Sequence, residues 1–238
     1  MMMCTVLVVM TGCDTAKQIL TTVVDVANSS APGISSTEIA AALKQALTIG
    51  TQNGNSLLAK SDGYFANAAV KILLPEEAKK VETTLRNVGL GSLVDKAVLS
   101  MNRAAEDAAK NATPIFTKAI QEMSIADAIG ILKGGDFAAT NYFKDKTTTA
   151  LTTAFKPTIT NALGKTNATK YWSDVFTAYN KFAAKPINPD LTGYVTERAI
   201  NGIFYQVQLE EQKIRQNPAA RVTDLLKKVF GSSLAQGK

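Results

Sequence analysis

The 238-residue chain carries 26 Lys and Arg against 20 Asp and Glu, a formal charge of +6, with 46% hydrophobic and 19% charged residues. That balance suits a chain that buries a core rather than a disordered one, and the scattered basic residues form no stripe of the kind that binds nucleic acid, so no nucleic-acid partner is expected. Histidine is absent and the two cysteines are Cys4 and Cys13, which excludes Ser-His-Asp and Cys-His catalysis and His-ligated zinc or haem; no metal and no cofactor is expected.

The first element is a short apolar segment. Met1 to Gly12 is uncharged and Val6 to Met10 is unbroken apolar sequence, too short to span a bilayer and close to the length of a signal-peptide core. Met10, Thr11 and Gly12 ahead of Cys13 resemble the bacterial lipobox, in which the cysteine is lipidated and becomes the first mature residue. No Lys or Arg precedes the apolar run, a departure from the positive start of such signals, and the reading therefore expects the true start to lie upstream. The alternative is a buried first element with Cys13 as an ordinary apolar residue. The expected organisation is a cleaved segment over 1–12, a lipid-anchored tether and leading helix over 13–34, and one all-helical domain over 35–238.

Beyond the tether every segment reads as helix and turn. Ser36 is a candidate N-cap for a helix with Ile39, Leu43, Ala46 and Leu47 at helical spacing. In LPEEAKKVETTLRNVG, Pro75 suits the first turn, Glu76 and Glu77 suit the positive helix end, Glu76 and Lys80 form a pair four residues apart, and Gly89 stops the helix. SLVDKAVLSMNRAAEDAAKNA places Leu93, Ala97, Met101, Ala104 and Ala108 on one stripe of an alanine-rich central helix. Next come two helices split by Gly134-Gly135, the first carrying Asp127 in its opening turn and the second capped by Asp136. KDKTTTALTTAF is expected to be helical. ATKYWSDVFTAYNKF gives a stripe of Tyr171, Val175, Ala178 and Phe182, and Trp172, Tyr171 and Phe176 read as core. The longest helix aligns Leu191, Val195, Ala199, Ile203 and Val207, each four apart, and ends at Asn217-Pro218. A last short helix is capped by Thr223 or Asp224. The fold class is all-α: a single multi-helix domain of amphipathic helices with no significant sheet.

Three groups of residues are candidates for chemistry. Asn102, Arg103 and Glu106 lie within the alanine-rich helix, with Asn102 and Glu106 on one face. They suit either a polar ligand or a buried hydrogen-bond network, and the network is preferred. Glu210, Glu211 and Arg215 follow the apolar stripe of the long helix. Glu211 and Arg215 are spaced for a pair, and Glu210, three residues past Val207, points inward if the stripe continues. A salt-bridge cluster with Arg198 or Arg103 is the preferred reading, and a functional carboxylate pair of Glu106 and Glu210 the sharper one. Finally, Gly134-Gly135-Asp136 leads into Thr140 and Tyr142, a helix start able in principle to hold an anion. It lacks a Gly-Lys-Ser/Thr ending and Asp136 would repel an anion, so a capped turn is preferred.

Three phrases, MNRAAEDAA, MSIADAIGILKGGDFAATNYF and EEQKIRQNPAARVTDLLKKVF, resemble in content and order the exported bacterial family catalogued as domain of unknown function 4197. The resemblance covers nearly all of the chain beyond Ser35 and implies an all-α fold and an N-terminal export or lipoprotein signal; it implies no activity. The expected function is that of a protein of the bacterial cell envelope, periplasmic or outer-membrane associated, held to the membrane by a lipid on Cys13. Its helical domain would bind or scaffold an envelope protein or an apolar ligand. The alternative is an envelope hydrolase working through Glu106 and Glu210.

Overall fold

Serine and glutamate three residues apart open the described chain. Ser35, one residue earlier than expected, caps α1 (Ser36–Leu58): its hydroxyl accepts the Glu38 N–H at 3.2 Å, and the Glu38 carboxylate accepts the Ser35 N–H at 2.9 Å. This reciprocal pair satisfies two of the orphan donors of a helix start. The structure, a computed structural model, describes residues 33–181, Pro186 and 190–236. Cys13 and its lipobox-like surroundings lie outside the described residues, as do Phe182 and the side chains of Tyr171, Val175 and Ala178.

After α1 the chain runs through turns and an irregular stretch to a 3-10 turn at Glu76–Ala78 and then α2 (Lys79–Asn87). Pro75 stands just ahead of that 3-10 turn rather than inside the helix, and Glu76 pairs with Lys79 at 2.5 Å instead of Lys80. Gly89, at φ +83°, turns the chain into α3 (Gly91–Ala109), a backbone geometry that glycine adopts without strain. The predicted α3 stripe is only half right. Met101, Ala104 and Ala108 are buried, but Leu93 is exposed, and Val94 and Val98 face inward in the first two turns. The C-terminal half lies between α6 and the chain that follows α1, which buries a wide arc; the N-terminal half packs mainly on α2 and buries a narrow one.

Then come α4 (Ala112–Glu122), α5 (Ile125–Lys133), α6 (Ala138–Gly164), α7 (Ala168–Asn180), α8 (Leu191–Gln216) and α9 (Asp224–Phe230), with 3-10 turns at Pro218–Ala220 and Ser233–Gln236. Ser124 and Asp127 form a second reciprocal cap on α5, Asp190 caps α8, and Thr223 rather than Asp224 caps α9. The threonine-rich run is helical, and its hydroxyls find partners inside the helix: Thr147, Thr148, Thr152, Thr153 and Thr160 each donate to the carbonyl four residues back. Pro157 lies inside α6 and brings no N–H to the Thr153 carbonyl.

These nine helices form one all-α domain, with no strand among the described residues. Its centre is α8, packed chiefly on α6 and α1, with α3, α4 and α5 completing the wall. The predicted α8 stripe of Leu191, Val195, Ala199, Ile203 and Val207 is wholly buried. Phe116 meets Phe143 and Phe204 edge-on, with centroids 5.2 and 6.3 Å apart, the arrangement ring quadrupoles favour. Small residues set how closely α1 and α8 approach. A Cβ on Gly50 would sit 3.3 Å from Glu210 Cβ, and one on Gly54 would sit 3.2 Å from Gln206 Cβ.

Candidate functional site

The first candidate group turns out to hold a loop. The Asn102 amide sits fully buried: its oxygen accepts the Ile72 N–H at 2.9 Å, and its nitrogen donates to the carbonyls of Ile72 (2.8 Å) and Val98 (2.7 Å). One turn later Glu106 accepts two successive backbone N–H groups, those of Tyr64 and Phe65, both at 3.1 Å, and pairs with Arg103 at 2.6 Å. Arg103 reaches on to Asp62 at 2.7 Å. Its hydrogen bond to Glu106, and then that to Asp62, hold the guanidinium pKa above its usual value. The irregular chain after α1 has few backbone partners of its own, and these side chains supply them. Tyr64 completes the attachment: its ring lies where a Cβ on Gly202 would come within 2.6 Å, and its hydroxyl donates to the Ala199 carbonyl at 2.6 Å. Burial, and then the Glu106 charge, push the Tyr64 phenol far above its usual pKa.

The second and third groups prove to be one. Glu211 points inward, continuing the four-residue register of the α8 stripe beyond Val207, and Glu210 beside it is mostly covered, its side chain 13% exposed and its Cβ facing Gly50 of α1. Its carboxylate accepts the N–H groups of Ala139 and Thr140, both at 2.9 Å, and the Thr140 hydroxyl at 2.8 Å. Arg215 donates to Glu211 at 3.0 and 3.1 Å and to the carbonyls of Ile131 (2.7 Å) and Leu132 (3.3 Å). The carboxylate therefore meets the positive start of α6 while the guanidinium meets the negative end of α5. The helix start does hold an anion, and it is the chain's own.

This displaces the predicted cap. Asp136 is exposed, and α6 begins after Phe137 with no side chain of its own as cap; Glu211 takes the Ala139 and Thr140 N–H groups instead. Tyr142 lies apart from that carboxylate, its ring facing Phe143 and the Lys146 ammonium 5.8 Å away; burial raises its phenol pKa. Glu210, covered on one side by α1, pairs with the exposed Lys213. Neither Arg198 nor Arg103 joins Glu210 or Glu211 in a cluster: Arg103 is taken by Glu106 and Asp62, and Arg198 lies over the Tyr194 ring at 5.4 Å. Nor do Glu106 and Glu210 share a partner. Trp172 and Phe176 are core, as expected, with centroids 4.4 Å apart.

Space for an outside molecule lies on the flanks of α8. One cleft of about 380 Å³ separates residues 69–76 from a face of α8 carrying Tyr194, Arg198, Asn201 and Tyr205. Another of about 370 Å³ lies between α8 and α6, beside Lys144, Thr148, Lys156, Thr196 and Glu197. The sequence reading missed the first face. Its spacing of four, three and four residues was visible, but polar residues at helical spacing usually mark plain solvent exposure. Among the described residues no group of three metal-ligating side chains occurs, and no helix is long and apolar enough to cross a membrane.

A family model described as a protein of unknown function (DUF4197) matches residues 33–231. None of the curated proteins and none of the solved structures matches the chain.

Proposed function

Since the chain belongs to the DUF4197 family, whose description carries no activity, we propose that it is a lipid-anchored binding module of the bacterial cell envelope. Cys13 would be the attachment point and the flanks of α8 the binding surface. The supporting observation is how the polar side chains are distributed. Asn102, Glu106, Glu211 and Arg215 are each used up by backbone groups of the fold, whereas the polar face of α8 along Tyr194, Arg198 and Asn201 borders an open cleft. A hydrolase working through Glu106 or Glu210 would first have to release these carboxylates from Arg103 and Lys213. The anchor rests on the residues before Cys13 and on their likeness to the lipobox.

Two measurements test the two halves of this reading. Metabolic labelling with a radioactive fatty acid should mark the wild-type protein and leave Cys13→Ala unmarked. Equal labelling of both, or of neither, removes the anchor. Native protein extracted in detergent should carry a stoichiometric bound molecule that is lost when α8-flank residues are substituted. Turnover of an ester or glycoside substrate that disappears with Glu106→Gln would replace the binding module with the hydrolase.

A further inference from the structure

The cleft between residues 69–76 and α8 is bordered by backbone hydrogen-bonding groups that the fold does not use. Ile72 is held at both backbone atoms by Asn102, and the Leu73 carbonyl accepts the Tyr194 hydroxyl at 2.8 Å. Around these fixed points the N–H groups of Leu73 and Leu74 and the carbonyls of Lys71 and Leu74 have no partner among the described residues. Both donors and acceptors are thus available along a short stretch of chain that Asn102 and Tyr194 hold in place. Across the cleft stands Arg198, which forms no ion pair among the described residues; it rests over the Tyr194 ring and hydrogen-bonds the Tyr194 side chain. Asn201 is beside it, and the exposed side chains of Leu73 and Tyr205 supply apolar surface.

We propose that this cleft binds the end of a peptide, with Arg198 taking the terminal carboxylate and the unmet backbone groups of residues 71–74 pairing with the peptide main chain. The proposal rests on the binding-module reading and gives it a ligand class. A guanidinium presents a planar fork that matches a carboxylate with two parallel bonds. A free fatty acid would use that fork but would leave the backbone donors and acceptors of residues 71–74 unpaired; a peptide, which carries both kinds of group, answers both, as in other modes of recognition through main-chain pairing. No nearby carboxylate takes the fork, and beyond its bond to Tyr194 the guanidinium keeps donors to spare. Glu76 is engaged by Lys79, and Glu77 and Glu197 act on Tyr194 without pairing with Arg198.

The chain contains one tryptophan, and Trp172 stacks against Tyr194 with centroids 6.4 Å apart, so its fluorescence reports on this cleft. The probe is an acetylated apolar tripeptide with a free carboxylate, titrated beside its C-terminal amide. The acid should change the Trp172 emission saturably, and the amide should bind at least about tenfold more weakly, the worth of a charge-assisted hydrogen bond. Arg198→Met should bring the acid down to the level of the amide, Asn201→Ala should weaken both, and Lys144→Met, in the other cleft, should change neither. Equal binding of acid and amide, or an unchanged titration in Arg198→Met with native circular dichroism, overturns the proposal. Decanoate binding as tightly as the peptide overturns the peptide assignment. Should the peptide fail while a native ligand is lost on substituting Lys144, this site falls and the binding-module reading stands.

Discussion

The Glu106 and Glu211 sites use one device at two depths. In each, a glutamate on a long helix accepts two successive backbone N–H groups from a distant segment and pairs with an arginine on its own helix. Both glutamate side chains are 4% exposed, but Arg103 is 40% exposed and Arg215 only 9%. Arg103 passes its remaining bonding capacity to Asp62 at the surface, whereas Arg215 spends its own on the end carbonyls of α5. The lesson is that the carboxylate does the holding and the depth of the arginine sets what its loss costs. An arginine stranded near the surface recovers water; a buried one does not.

Substitutions that break each site measure that difference. The largest effect is expected for Glu211→Ala, which leaves a buried guanidinium and two helix-start N–H groups without their acceptor. Urea unfolding should show a loss of about 3–5 kcal/mol, the usual cost of breaking a buried pair. Glu106→Ala should cost about 1–3 kcal/mol, since Arg103 is resolvated and Asp62 remains. Hydrogen exchange should then quicken at the Tyr64 and Phe65 amides and stay slow at Ala139 and Thr140. A Glu106→Ala loss as large as that of Glu211→Ala would undo the argument from arginine depth.

The smallest effect belongs to a third glutamate that holds a helix start at the surface. Hydrogen bonding to Lys228, then to the backbone and hydroxyl of Ser35, lowers the Glu38 pKa from 4.5 to about 2. A carboxylate depressed on folding adds stability above its unfolded pKa and loses it as pH falls through the folded one. The contribution of Glu38 is therefore whole above 4.5 and fades toward 2. Lys228→Ala should raise the Glu38 pKa in an NMR titration and flatten the acid limb of stability across that window, with little change at neutral pH. An unaltered titration would mean that the Ser35 cap alone sets the shift.

Much of this architecture was legible in local sequence. The α8 stripe, the stop at Asn217-Pro218, the opening-turn place of Asp127 and the helicity of the threonine run all follow from contacts within a few residues, and the structure bears them out. What failed depends on partners far along the chain. Glu210, three residues past Val207, and Glu211, four past it, are both largely covered, and only the start of α6, 71 and 72 residues away from Glu211, decides that Glu211 is the one that caps it. Asp136 obeys every local rule for a cap and is displaced by that same carboxylate. Leu93 faces out because α2 covers less of α3 than α6 and the chain after α1 do. The preference for a buried network at Asn102 and Glu106 rested on the rule that buried polar groups are paired; which backbone groups they pair with was not in the pattern.

The corner between α5 and α6 carries a consequence for the order of events in the life of the chain. The two helix ends meet there, and the residues that clasp them, Glu211 and Arg215, come 72 to 84 positions later. As the chain leaves the ribosome from its N-terminus, α5 and α6 are complete well before their clasp exists, with the Ala139 and Thr140 N–H groups and the Leu132 carbonyl still lacking their side-chain partners. The angle between them is settled when α8 arrives, so the last long helix to be made closes the fold.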